Sequence, residues 1–149
     1  MQQRLLVVTP HPDDETIGSG ATIARAVREG GLVLVLCATA TPPRLRELEA
    51  ACSVLDADYQ VLFGGEYNSR LDTLAMHDVV HAIEEVVQTF NPQRVIMPAV
   101  SAHHQDHQVV AKGCIAAMRP GGPEGWWRPD MVLSMDTACL LYTSPSPRD

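Results

Sequence analysis

The chain is poor in aromatic residues, in positive charge and in long apolar runs. Aromatic residues make up 5% of its 149 residues, and 18 acidic side chains outnumber 11 Lys and Arg, for a formal net charge of −7. No apolar run approaches the roughly 20 residues of a membrane-spanning helix. The acidic balance argues against nucleic acid or anionic lipid as a partner. Because the first residues also lack the features of a signal peptide, we expect a cytoplasmic protein.

The sequence also lacks a Cys-x-x-Cys pair. The four scattered cysteines are Cys37, Cys52, Cys114 and Cys139. This pattern is typical of a reducing compartment, where cysteines act as small core residues. Hydrophobic residues make up 46% of the chain and charged residues only 19%. This composition excludes a disordered chain, and the length favours a single domain.

Five short apolar runs alternate with helical patterns along the chain. The runs are Leu5–Val8, Leu32–Leu36, Val61–Phe63, Val95–Met97 and Met131–Met135. Because apolar and polar residues do not alternate within them, the runs predict strands that are buried on both faces. Alternating strands and helices predict an α/β fold, a Rossmann-like three-layer α/β/α sandwich with a mainly parallel sheet. We expect the common strand order 3-2-1-4-5.

Four helices are predicted from apolar residues at helical spacing. The stripe of the first helix consists of Ile17, Ala21, Ala24 and Val27. This helix is predicted to end at Gly30–Gly31, and the second to open at Pro42–Pro43. The third is predicted to end at Asn91–Pro92, and the fourth to follow Asp106.

The end of the chain breaks this alternation. After Tyr142 the sequence reads Thr-Ser-Pro-Ser-Pro-Arg-Asp, which has no pattern that can pack, at a point where another helix is due. We expect one domain over residues 1–142, incomplete at its carboxyl end, followed by a disordered, non-native tail over residues 143–149. An ordinary frayed end is the alternative interpretation.

Four of the six histidines fall in two short polar segments. The first segment, Thr9–Glu15, follows the first strand, and the second, Ala102–His107, follows the fourth strand. Ligands of such sheets bind outside the carboxyl ends of the strands, where the strand order reverses. The expected order makes strands one and four neighbours, so we expect both segments to line one cleft.

The residue types in this cleft suit a divalent metal. Imidazole and carboxylate groups are good ligands for zinc, and three protein ligands with one open position make a hydrolytic site. His11, Asp14 and His107 are the candidate ligands. Zn²⁺ is the expected ion, and Fe²⁺ or another divalent metal is the alternative, since these ligands accept several ions.

Three further residues are candidates for catalysis. Asp13 is adjacent to Asp14 and points elsewhere, so it is free to take a proton from a water whose pKa the metal lowers to about 7. His104 is a candidate donor of a hydrogen bond to the oxyanion that forms on the substrate. Asp106 either orients His104 as an imidazolium or supports a metal ligand from behind.

Simpler interpretations of these segments stay open. Residues 12–15 are also typical of a helix start, and residues 103–107 of a polar loop in which Asp106 caps a helix. His77 and His81 lie four residues apart, and we expect them on a solvated helix face. Gly18 and Gly20 do not fit a dinucleotide fingerprint, and we expect them to let the first helix pack close to the sheet.

The two motifs together resemble the PIG-L / LmbE-like family of zinc-dependent N-acetylglucosaminyl deacetylases. The resemblance covers about residues 4–136. It rests on Pro-His-Pro-Asp-Asp-Glu at 10–15, on His-x-Asp-His at 104–107, and on Arg46-x-x-Glu49 in the second helix. It implies a Rossmann-like fold, one zinc ion, and removal of an N-acetyl group from an amino sugar conjugate.

The resemblance also implies a role for each candidate residue. The implied zinc ligands are His11, Asp14 and His107. Asp13 matches the general base, and His104, with Asp106 behind it, matches the residue that stabilises the oxyanion. There are departures from the family, since Ala102 stands where some members have Tyr, and members are commonly longer.

Two other functions stay open at this stage. A Rossmann-like domain also serves as a non-catalytic module that binds a nucleotide or a sugar. An inactive fragment of a deacetylase is the remaining alternative. The sequence leaves the acylated amine and the oligomeric state undetermined.

Overall fold

The structure, a computed structural model, describes residues 2–121 and 123–137. The five strands are β1 (Arg4–Thr9), β2 (Leu32–Thr39), β3 (Asp58–Phe63), β4 (Arg94–Pro98) and β5 (Met131–Met135). The four α-helices are α1 (Asp14–Arg28), α2 (Pro42–Leu55), α3 (Met76–Phe90) and α4 (Gln105–Ala117). Cys139, the expected domain end near residue 142 and the expected tail over residues 143–149 lie outside the described residues.

The strands form one parallel sheet in the order β3-β2-β1-β4-β5. This arrangement confirms the predicted α/β class and strand order. Alternate side chains of the central strands enter two cores. Leu6 and Leu36 pack with α3 and α4, whereas Val7 and Val35 pack with α1 and α2. The sheet is therefore the middle of three layers, and the carboxyl ends of β1 and β4 lie side by side.

The prediction that all five strands are buried on both faces is wrong for the edge strands. In β5 the side chains of Met131, Val132 and Leu133 are 47%, 44% and 45% exposed. The reason is position, because β5 pairs only with β4 and no described element lies along its other side. The apolar run therefore identifies the strand correctly but does not report its burial.

The predicted apolar stripe of α1 is also wrong at Ile17, Ala21 and Ala24, which are exposed, whereas Val27 packs against the core. Ile17 is 66% exposed, whereas Glu15, Ser19 and Ile23 are buried. Glu15, Ser19 and Ile23 follow one another at intervals of four residues, so they share one face of the helix. The helix turns this partly polar face inward because its first turn carries the side chains of the site.

Other local expectations fit the structure. Pro42 opens α2, and Asn91 ends α3 in the left-handed conformation at φ 52°. A Cβ atom on Gly18 would lie 2.7 Å from the Met135 Sδ atom, so the glycine lets α1 pack closely against the end of β5.

His77 and His81 are exposed. The described cysteines are buried. Among the described residues, no helix has the length and apolar character needed to cross a bilayer.

Candidate active site

The turn after β1 has an unusual backbone. Asp13, immediately before α1, has φ 98° and ψ −33°, a conformation that non-glycine residues rarely adopt. Its amide N–H donates to the Glu15 Oε2 atom at 3.0 Å, and Glu15 is fully buried. Glu15 therefore supports the strained turn at Asp13 through this hydrogen bond. Such strain is often found at functional sites.

The structure brings together the three residues expected to be metal ligands. The Asp14 Oδ2 atom lies 3.6 Å from His11 Nδ1 and 3.4 Å from His107 Nε2. The donor atoms of the three residues all lie within 4.8 Å of one another. Ligands about 2.0–2.1 Å from a tetrahedral zinc ion are about 3.3–3.4 Å apart. The donor set therefore fits a zinc ion in both chemistry and spacing.

The electrostatics of the three side chains are coupled. Burial lowers the pKa of His11, but hydrogen bonds to Asp14 and Asp106 outweigh it, so the pKa is raised above 6.5. Burial raises the pKa of Asp14, but the hydrogen bond to His11 and the charge of His107 lower it overall. Burial lowers the pKa of His107, and the nearby Asp14 carboxylate offsets this only in part. Asp14 is thus held as an anion between two imidazoles.

Asp13 is not part of this group of three and forms an ion pair instead. Its Oδ2 atom lies 2.7 Å from the Nη2 atom of Arg44, near the start of α2. The same Arg44 nitrogen donates to the Pro12 carbonyl oxygen, and Arg44 Nε lies 3.1 Å from Glu47 Oε2. The hydrogen bond to Asp13 raises the pKa of the Arg44 guanidinium. Arg44 therefore fixes both the backbone and the carboxylate of the turn.

Sequence reasoning missed Arg44 and the structural role of Glu15. It singled out Arg46-x-x-Glu49, but Arg46 is exposed. The same Arg-x-x-Glu spacing occurs two residues earlier, at Arg44 and Glu47, and this was the available signal. For Glu15, the signal was a third consecutive acidic residue next to the ligand motif.

His104 is the N-terminal cap of α4. Its Nδ1 atom accepts a hydrogen bond from the Asp106 amide N–H at 3.1 Å. An accepting Nδ1 atom carries no proton, so the proton of the ring is on Nε2. This contact contradicts the expectation that Asp106 holds His104 as an imidazolium. It leaves Nε2–H as the donor of this ring.

Asp106 does not cap the helix, and the interpretation that it does is wrong. It lies in the first turn of α4 and is fully buried. Its Oδ2 atom lies 2.7 Å from His11 Nε2, and its Oδ1 atom accepts from the Leu71 amide N–H at 3.0 Å. Of the two roles considered for Asp106, these contacts favour support of His11, one of the three candidate ligands.

The fold and this site define a Rossmann-like α/β domain with a candidate His-Asp-His metal site at the carboxyl edge of its sheet. The chain belongs to the PIG-L family, since the family model described as GlcNAc-PI de-N-acetylase matches residues 6–118.

The chain is similar to proteins that carry deacetylase names. A probable N-acetyl-alpha-D-glucosaminyl L-malate deacetylase 2 from Bacillus cereus is 29% identical over 138 aligned positions, which cover 79% of this chain and 62% of that protein. A 1D-myo-inositol 2-acetamido-2-deoxy-alpha-D-glucopyranoside deacetylase from Thermobifida fusca is 38% identical over 86 positions, covering 43% of this chain and 30% of that protein. The chain therefore spans less than two thirds of the length of these relatives.

A solved structure supports the same fold. The conserved protein TT1542 from Thermus thermophilus superposes with a TM-score of 0.74 at 26% identity. The superposition covers 91% of this chain and 67% of that one. The likeness extends across nearly the whole described part of the molecule.

Proposed function

We propose that this protein is a zinc-dependent hydrolase that removes an N-acetyl or similar acyl group from an N-acetylglucosamine-type sugar conjugate. The observation that carries the proposal is the pair of distances, 3.6 and 3.4 Å, from Asp14 Oδ2 to His11 Nδ1 and His107 Nε2. These separations support a single ion bound by the three residues. The names of the relatives from Bacillus cereus and Thermobifida fusca support the substrate class.

When bound, a zinc ion would polarise the amide carbonyl and lower the pKa of a water in the open position. His11 would bind it through Nδ1, because its Nε2 atom is already hydrogen-bonded to Asp106. His107 would bind it through Nε2, the atom that lies near Asp14. The anionic Asp14 would supply the third ligand. Fe²⁺ would fit the same donor set, and a metal analysis of the purified protein separates the two ions.

Asp13 is the proposed general base. Its carboxylate lies outside the ligand set and is 54% exposed, so it is free to accept a proton from the attacking water. The ion pair with Arg44 would fix this carboxylate in one position. The proton would then pass to the nitrogen of the leaving amine as the C–N bond breaks.

His104 is the proposed donor to the oxyanion. Its Nδ1 atom is engaged by the Asp106 amide, so its Nε2–H is available for the substrate oxygen. The ring lies beside both imidazole ligands, with centroids 5.1 Å from His11 and 5.5 Å from His107. A hydrogen-bond donor at this place would stabilise negative charge that develops in the transition state.

The test combines zinc content with release of free amine from N-acetylglucosaminyl malate and from the corresponding myo-inositol conjugate. We expect about one zinc per chain, loss of zinc in His107→Ala, and retention in the control His77→Ala, which alters an exposed histidine. Asp13→Asn should keep zinc and lower kcat by about 10²- to 10⁴-fold.

Three results would argue against the proposal. Full zinc content in His107→Ala would contradict the ligand assignment. Full activity in Asp13→Asn would contradict the assigned base. A folded, zinc-loaded protein that cleaves neither conjugate nor simple N-acetylglucosamine would leave a binding module as the better description.

A further inference from the structure

The side chain of Asp106 links two parts of the site that are far apart in sequence. One carboxylate oxygen lies 2.7 Å from Nε2 of His11, 95 residues away. The other accepts from the Leu71 amide, in the connection between β3 and α3, at 3.0 Å. The carboxylate is fully buried, so these two contacts replace the water that it has lost.

The contact with His11 sets the tautomer of that ring. A carboxylate only accepts hydrogen bonds, so the proton of a neutral His11 must be on Nε2. The lone pair is then on Nδ1, the atom that faces Asp14 at 3.6 Å. Asp106 thus presents the correct nitrogen of His11 to the proposed ligand position.

The contact with Leu71 fixes a neighbouring segment. Leu71 is buried, and Ser69 has a left-handed backbone with φ 59°. The Ser69 carbonyl oxygen accepts from Gln105 Nε2 at 3.0 Å, next to Asp106 in the first turn of α4. Two hydrogen bonds therefore hold residues 69–71 at the start of α4. The acceptor of one of these bonds is the Asp106 carboxylate, which also contacts His11.

We propose that Asp106 is a positioning residue for the metal ligand His11 rather than for His104, and that it couples the placement of residues 69–71 to metal binding. The inference rests on the proposed metal site. A metal on His11 Nδ1 makes the Nε2–H a stronger donor, which tightens the contact with Asp106 and orients its second oxygen toward Leu71. By reciprocity, loosening residues 69–71 should lower the affinity of the site for the metal.

Asp106→Asn tests the role because asparagine has a single acceptor oxygen. The backbone N–H of Leu71 can only donate a hydrogen bond, so we expect the side-chain oxygen of Asn to accept from it. The NH₂ group then faces His11 and favours the tautomer with the proton on Nδ1. We expect ¹⁵N NMR of the metal-free variant to show this tautomer, and zinc affinity by chelator competition to fall about 10- to 100-fold.

Gln105→Ala is the matched control, because it removes the neighbouring hydrogen bond to Ser69 and leaves both Asp106 contacts in place. It should keep the wild-type His11 tautomer and lower zinc affinity by less than Asp106→Asn does, because one of the two hydrogen bonds to residues 69–71 is kept. An unchanged tautomer together with unchanged zinc affinity in Asp106→Asn would overturn the proposal. Loss of zinc in His107→Ala at the same time would show that the metal site itself stands.

A measurement on the unmutated protein covers the case in which a variant fails to fold. Zinc should slow hydrogen exchange of the Leu71 amide. The Thr73 amide, which donates to the Arg70 carbonyl in the same connection, is the internal control and should change less. Equal exchange of the Leu71 amide with and without zinc would overturn the coupling, whatever the activity of the protein.

Discussion

The Nη2 atom of Arg44 lies 2.7 Å from the Oδ2 atom of Asp13, and it also donates to the carbonyl oxygen of Pro12. One guanidinium thus joins the start of α2 to the turn that precedes α1. Because Asp13 has a strained backbone at φ 98°, its side chain depends on such partners for a fixed position.

Arg44→Ala should therefore impair catalysis without removing the metal. We expect kcat to fall about 10- to 100-fold, because a misplaced base accepts the proton of the attacking water from a poorer geometry. Zinc affinity should stay near the wild-type value, since Arg44 contacts none of the three ligands in the described residues. Steady-state kinetics with zinc titration checks both. Arg46→Ala, on the exposed side of the same helix, is the control, and an equal loss there would refute the role of Arg44.

Removing the His104 ring should lower turnover more than it lowers metal binding. With the Nε2–H donor gone, we expect His104→Ala to reduce kcat about 10²- to 10³-fold. Loss of the cap on α4 should also cost about 1 kcal/mol of stability. Kinetics and urea unfolding measure the two effects. His103→Ala changes the adjacent exposed histidine, and a similar loss of kcat there would count against a specific role for His104.

Zinc affinity should fall as the pH decreases, starting above pH 6.5. Zinc must displace the proton from His11 Nδ1 once that ring is charged, and the pKa of His11 is raised above 6.5. Below this pKa, affinity should drop about tenfold per pH unit. The pKa of His107 is lowered, so its proton adds to the slope only below pH 6.5. Chelator competition between pH 8 and 5.5 measures this, and a flat profile above pH 6.5 would contradict the shift of His11.

The buried Glu15 should matter for stability. Glu15→Ala leaves the Asp13 amide without its acceptor and opens space in a buried region, so we expect a loss of about 1–3 kcal/mol. Glu15→Gln keeps an acceptor oxygen and should lose less. Glu29→Ala removes an exposed partner of Arg25 and should change the free energy of unfolding very little. Urea unfolding of the three variants measures the free energy of unfolding. Equal losses of stability in Glu15→Ala and Glu29→Ala would contradict the role of Glu15.

Most of the fold was predictable from local pattern. Apolar runs located all five strands, and their alternation with helical segments predicted the parallel sheet and its order. Burial was less predictable. Ile17 is exposed and Ser19 is buried because the first turn of α1 carries side chains of the site. Strand β5 is exposed because it lies at the edge of the sheet. The periodicity of apolar residues predicts the type of element, but it does not predict which neighbours will bury a strand or helix.

For the site, the sequence determined the donor chemistry and its location. The two histidine-containing segments follow β1 and β4, and parallel pairing of those strands is enough to bring the segments together. Which donor meets which acceptor was decided by the tertiary structure. Arg44, which pairs with Asp13, comes from α2, and Leu71, one of the two partners of Asp106, comes from the β3–α3 connection. No local spacing specifies these partners. Contacts between side chains on separate crossovers depend on how helices pack across the sheet, and that packing is a property of the whole domain.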